Sequence, residues 1–117
     1  MKFDIKDVQK FVGNISYEQM KHVDAFISDN IALFIPSTGP CEYSITENHS
    51  HPSYSFVLAF DNFCTVIMDG KEFTSEPGLI AAFSPEILHH EKLTENFTRY
   101  VAIMIKKDFF EDQLEDY

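Results

Sequence analysis

His49-Ser50-His51-Pro52-Ser53-Tyr54-Ser55-Phe56-Val57-Leu58-Ala59-Phe60 is the stretch on which the reading of the fold turns. From Ser53 onward it alternates. Ser53, Ser55, Val57 and Ala59 fall on one side of an extended chain, and Tyr54, Phe56, Leu58 and Phe60 on the other. Successive side chains of a strand point to opposite faces, so a two-residue period predicts a β-strand with one bulky apolar face. The same parity carries back to His49 and His51. Both imidazoles are expected on the face that bears Ser53, Ser55 and Val57.

Further strands lie on either side of this one. Asp61-Asn62 turns the chain and Phe63–Met68 returns it. Asp69-Gly70 is a hairpin signal, because that pair accepts the positive φ of a tight primed turn. Lys71–Ser75, Leu79–Phe83, Ile87–Leu93 and Thr98–Ile105 follow, punctuated by Pro77-Gly78 and Ser84-Pro85-Glu86. Upstream, Phe26–Asp29, Ile31–Ile35 and Cys41–Glu47 are separated by Asp29-Asn30 and Pro36-Ser37-Thr38-Gly39-Pro40. Roughly eight or nine short strands at such spacing indicate an all-β sandwich or barrel. Short helices flank the strands. Asp4 can cap the first, with Ile5, Val8, Phe11 and Val12 on one stripe and Gly13-Asn14 as its stop. Asp108 with Glu111 resembles a capping box for the second, where Phe110 and Leu114 share a face and the acidic residues Glu111, Asp112, Glu115 and Asp116 form a solvated one. The 117 residues are expected to form one domain, with an N-terminal arm and helix over 1–20, a barrel over 22–105 and the start of a C-terminal helix over 108–117.

Composition narrows the function. Hydrophobic residues make up 44% of the chain and charged residues 24%, enough apolar material for a packed core. Nineteen acidic residues against nine basic ones give a formal charge of −10. Such a surface repels phosphate backbones and anionic membranes, so direct nucleic-acid or membrane contact by this segment is not expected. No apolar run reaches the ~18 residues of a membrane span, and Met1-Lys2-Phe3-Asp4 opens no signal sequence, which predicts a cytoplasmic protein. Cys41 and Cys64 lack metal-ligand spacing and are expected as reduced thiols.

The residues fit for chemistry are histidines. His49 and His51 share a face, and His89-His90 follows the Pro85-Glu86 turn, where a neighbouring strand can bring a third imidazole to the same place. Three convergent histidines hold a divalent metal or grip a polar ligand. The plain alternative is a hydrogen-bonded core histidine. His90 is expected outward, and His22 on the surface near a strand start. Ser53 and Ser55 lie near histidines, but a triad needs an orienting acid that the pattern does not supply. No glycine loop of phosphate-binding type occurs.

These stretches resemble the cupins, which carry His-x-His-x-x-x-Glu followed by Pro-x-Gly-x-x-His. His49-Ser50-His51-Pro52-Ser53-Tyr54-Ser55 stands for the first motif and Ser84-Pro85-Glu86-Ile87-Leu88-His89 for the second. The spacing selects His89 over His90. Three positions depart from the pattern: Ser55 stands where the cupin glutamate ligand would be, Ser84 replaces the proline, and Glu86 replaces the glycine. A hydroxyl is a poorer ligand than a carboxylate for a hard divalent metal; Glu47 shares the parity of His49 and could in principle compensate, but its place near a strand end disfavours it. Within the cupins, the order of His-x-His strand, return strand, Asp69-Gly70-Lys71 hairpin, Pro77-Gly78 strand and Lys107-Asp108-Phe109-Phe110 exit is similar to the effector-sensing domain of AraC-type transcription regulators. That resemblance implies a cupin-like double-stranded β-helix, a jelly-roll barrel.

The AraC-type resemblance implies a sensor domain whose pocket is lined by His49, His51, Ser53, Ser55 and Val57, with His89 opposite. A small-molecule effector would be the partner, no cofactor is expected, and a helix-turn-helix domain beyond this segment would bind DNA. The paired sheets and amphipathic tail are compatible with a homodimer. A stand-alone metal cupin enzyme, of dioxygenase or isomerase type, is the alternative. It would use His49, His51 and His89 as ligands to Zn, Fe, Mn or Ni. A third reading is an interaction module with no ligand.

Overall fold

Asp4 opens the first element. Its side chain accepts a hydrogen bond from the Lys6 amide at 2.9 Å, capping helix α1 (Ile5–Val12), and Gly13 at φ 94° ends it. The expected stripe faces inward, with Val8, Phe11 and Val12 buried. The computed structural model describes residues 3–21, 23–36, 49–59, 64–74, 76, 78–93 and 100–115. The predicted strand Cys41–Glu47, the Asp61-Asn62 turn, His22 and Glu47 lie outside the described residues.

Among the described residues eight strands follow α1: β1 (Val23–Ile27), β2 (Ile31–Pro36), β3 (Ser53–Ala59), β4 (Cys64–Met68), β5 (Lys71–Thr74), β6 (Ile80–Phe83), β7 (His89–Leu93) and β8 (Tyr100–Lys106). Helix α2 (Lys107–Glu115) completes the described chain. Every pairing among these described strands is antiparallel. One sheet has the order β1-β2-β8-β3-β6 and the other β5-β4-β7. A closed barrel wall is the sequence expectation. The described residues establish the coarser arrangement of two antiparallel sheets that line one cavity, with an isolated bridge between His49, ahead of β3, and His89 at the start of β7.

β3 is an inner strand of its sheet, with Val57 opposite Ala102 of β8 and Ala81 of β6. Its bulky face packs on α2. The Tyr54 and Phe110 rings lie 4.3 Å apart, Phe56 and Phe110 5.9 Å, and the Tyr54 hydroxyl donates to Glu111 Oε1 at 3.2 Å. Glu111 also meets Lys107 at 3.5 Å, so this carboxylate belongs to the packed side of α2 and not to a purely solvated face. α2 starts at Lys107, directly from β8, which places Asp108 inside the first turn and not at the cap. β1 starts at Val23, three residues before the expected position, because Val23, Asp24 and Ala25 pair with Pro36, Ile35 and Phe34.

The core lies between α1 and the larger sheet. Val8, Phe11, Val12, Ile15 and Met20 from the N-terminal segment meet Val23, Ala32, Phe34, Ala102 and Met104. Ser16 and Gln19 close a turn after α1, each side chain accepting the other's backbone amide at 3.0 and 3.3 Å, and this turns Ile15 and Met20 inward. Among the described residues no helix is long and apolar enough to cross a membrane.

Among the described residues two turns carry positive φ on side-chain-bearing residues. Asp69 (φ 50°) with Gly70 (φ 74°) makes the predicted hairpin between β4 and β5. Glu86 sits at φ 66°, at the position where the cupin pattern has glycine. The left-handed region costs an L-residue roughly 1–2 kcal/mol. Glu86→Gly is therefore expected to stabilise the fold by about 1 kcal/mol, net of glycine's greater freedom in the unfolded chain. Thermal unfolding would show a midpoint higher by roughly 4 °C. A lowered midpoint would mean that the exposed contact from Ser50 Oγ to Glu86 Oε2, at 3.4 Å, matters more than the backbone strain.

Candidate functional site

The main chain positions the histidines before their rings meet. His49 and His89 exchange both backbone hydrogen bonds, at 2.8 and 2.9 Å, and such directly opposed residues project side chains to one face. Two residues on, the His51 carbonyl accepts the Glu86 amide at 2.8 Å, so the His-x-His segment is held at one end to His89 and at the other to the turn that precedes β7. The rings converge. His49 and His89 have centroids 4.3 Å apart, and His51 is 5.2 Å from each. One ligand nitrogen from each lies within 4.8 Å of the other two.

Backbone carbonyls orient two of the rings. His51 Nδ1 lies 2.7 Å from the Val12 carbonyl and His89 Nδ1 2.8 Å from the Ile87 carbonyl. A carbonyl only accepts, so each Nδ1 carries the proton and each Nε2 keeps its lone pair. Phe83 stacks on His89 at 5.4 Å and fixes that ring further. Burial pushes the His51 imidazole down from 6.5 to about 4, with the neighbouring histidines adding to the effect against the opposing pull of the Val12 hydrogen bond. Burial lowers His89 as well. Both rings are therefore neutral near pH 7, as ligation requires.

That shift has a consequence for the metal-free chain. A histidine whose folded pKa lies below its unfolded value binds fewer protons folded than unfolded, so its stabilising effect is complete above pH 6.5 and is lost as pH falls toward 4. His51 contributes up to about 3 kcal/mol across that window. Urea unfolding at pH 7.5 and pH 5 should show the loss, and His51→Asn should flatten it. Equal midpoints for the native chain at both pH values would contradict the buried, neutral assignment.

A cavity of about 270 Å³ opens beside the rings. His51, Ser55, Val57 and His89 line it, with Phe34, Met104 and other apolar residues of both sheets. Two of the expected lining residues do not. His49 faces a neighbouring groove lined by Gln9, Asn14 and Ser50, reached from the other side of the His51 ring. Ser53 has the right parity but sits opposite Lys106 at the end of β3, where α1 packs and Phe11 lies 5.5 Å beneath Lys106 Nζ. Ser53 is 1% exposed, and its Oγ has no hydrogen-bond partner among the described residues. His90 stands apart from the three rings, near Ile67 and the Asp69-Gly70 turn.

The sequence reading missed the cavity's other walls. Val12, Ile15 and Met20 come from the N-terminal segment, and Thr74, Glu76 and Tyr100 from the far end of the strands. The Ser16-x-x-Gln19 pattern was the available signal for the first group, since a capping box there implies a turn that returns the chain to the core.

Several solved chains of similar fold are cupins. A cupin protein from Bacteroides fragilis superposes with a TM-score of 0.54 at 13% identity, over 68% of this chain and 69% of that one. An RmlC-like cupin protein from Desulfovibrio desulfuricans gives 0.53 at 15%, over 89% and 88%. A DMSP lyase from Ruegeria pomeroyi gives 0.58 at 12%, over 80% and 52%. At such identities the likeness defines the fold alone: this chain has a cupin fold. No family model and no curated protein matches the sequence.

Proposed function

We propose that this chain is a small-molecule-binding cupin domain in which His49, His51 and His89 hold a divalent metal where the cavity meets the groove that His49 faces. The observation that carries this reading is the fixed tautomer of two of the three rings. With Nδ1–H of His51 and His89 committed to backbone carbonyls, both Nε2 lone pairs are available beside His49. Ligating histidines characteristically give their second nitrogen to such an acceptor. A buried histidine kept only for packing does not need two like neighbours within 4.8 Å.

The donor set fits Zn, Fe, Mn or Ni, all of which accept imidazole. When bound, the metal supplies a Lewis acid that polarises a ligand oxygen. Ser55 puts a hydroxyl where the cupin pattern has a carboxylate, so the described residues offer three ligands, and a small molecule from the cavity would take a further position. Val57, Ala102 and Phe34 make up part of the cavity's apolar wall.

A sensory role, of the kind found in AraC-type regulators, is the second reading. It is favoured by one observation: the N-terminal segment is part of the cavity wall and is hydrogen-bonded to His51 through Val12. Occupancy that altered this contact would be felt outside the cavity, where a partner domain or a second copy can respond.

Elemental analysis tests the proposal. After equilibration with each metal in turn and removal of excess, about one equivalent per chain is expected for at least one of them, with a raised unfolding midpoint. Less than roughly a tenth of an equivalent for every metal would leave the metal-free pocket as the better account.

A further inference from the structure

The cavity differs at its two ends. His51 and His89 mark one, together with Ser55 and with Phe83, which pairs with Ser55 and stacks on His89. The ladders locate the other. Along β3, Ser55 pairs with Met104, Val57 with Ala102 and Ala59 with Tyr100, which places Tyr100 roughly 13 Å down the sheet from Ser55. The smaller sheet runs the same way. Met68 pairs with His89, whereas Thr65 pairs with Thr74, and Glu76 follows two residues later. Thr74, Glu76 and Tyr100 therefore form the pole remote from the imidazoles. Between the poles the wall is apolar, made of Val57, Val66, Ala81 and Ala102. Among the described residues that line the cavity, Glu76 is the sole carboxylate, and there is no Lys or Arg.

We propose that the cavity takes a short aliphatic molecule with a cationic head at Glu76 and an oxygen group at the histidine end, a ligand class that rests on the metal reading for its second half. An anionic head at the outer pole would meet Glu76 with no described lining cation to offset it. A purely apolar ligand would leave both polar ends unmatched. A bipolar ligand pairs a positive group with the carboxylate, lays its methylenes on the apolar wall and gives its oxygens to the metal.

The test uses the full chain loaded with zinc and labelled at its methionine methyl groups, since Met20 and Met104 line the cavity and report its occupancy by NMR. The probes are ω-amino acids of four to six carbons and the alkanoates of equal length. The amino acid that fits is expected to bind roughly three- to tenfold more tightly than its alkanoate, with a preference that weakens at high salt. Glu76→Gln should abolish the preference and leave alkanoate affinity and zinc content unchanged. No binding by any probe, equal affinity in the native chain, or a preference that survives Glu76→Gln would overturn the proposal. Zinc content, measured separately, reports on the metal reading. Should zinc fail to load, butylammonium against butanol on the metal-free chain still reads the outer pole, and absence of a Glu76-dependent preference there overturns the cationic assignment.

Discussion

Replacing His51 with Ala is expected to lower metal affinity by roughly a thousandfold or more, because one of the three ligands proposed among the described residues is lost together with its anchored tautomer. Losing an outer-shell partner alone typically costs about 10–100-fold, so a ligand that also holds the Val12 contact must cost more. His89→Ala should match it, since that ring is equally oriented by Ile87. His90→Ala is the control. It removes an adjacent imidazole that lies outside the cluster, and affinity should stay within about twofold. Titration against a chromogenic chelator gives all three numbers. A chain that lost as much from His90→Ala as from His51→Ala would show that the assigned cluster is not the binding site.

Phe11→Ala is the second large effect. Phe11 is 1% exposed and joins α1 to β8, with its ring beneath the Lys106 ammonium. Emptying such a site costs about 3–5 kcal/mol in lost transfer energy and cavity formation. In a domain of this length the unfolding midpoint should fall by roughly 12–20 °C. The result bears on function as well as on stability. An arm that lifts away to signal would be weakly docked, and its truncation would matter little. Buried Val8, Phe11, Val12, Ile15 and Met20 make this segment part of the core, so any response to a ligand has to be a shift within it. A drop of less than about 4 °C would favour the detachable arm.

Much of this was legible before any coordinates. Period-two alternation places β3, and Asp69-Gly70 places the hairpin, because both rest on local geometry that neighbouring residues decide alone. The meeting of His49, His51 and His89 was legible only through the order of motifs, since nothing local to His89 says which strand lies beside it. Ser53 shows where parity fails. It shares a face with Ser55, yet the face continues past the cavity and under α1, and the length of a cavity along a strand is set by what covers its end. Glu76 and Tyr100 stayed invisible for a related reason. Their place at the outer pole depends on the registers of two sheets together, and neither register is written in a single segment.

The paired amides and carbonyls of His49 and His89 set the separation of two reactive groups without using either side chain. Framework and chemistry are thereby decoupled: the scaffold would persist if the rings were exchanged for other donors. A lineage built on this plan can retune what it grips, one substitution at a time, without having to learn to fold again.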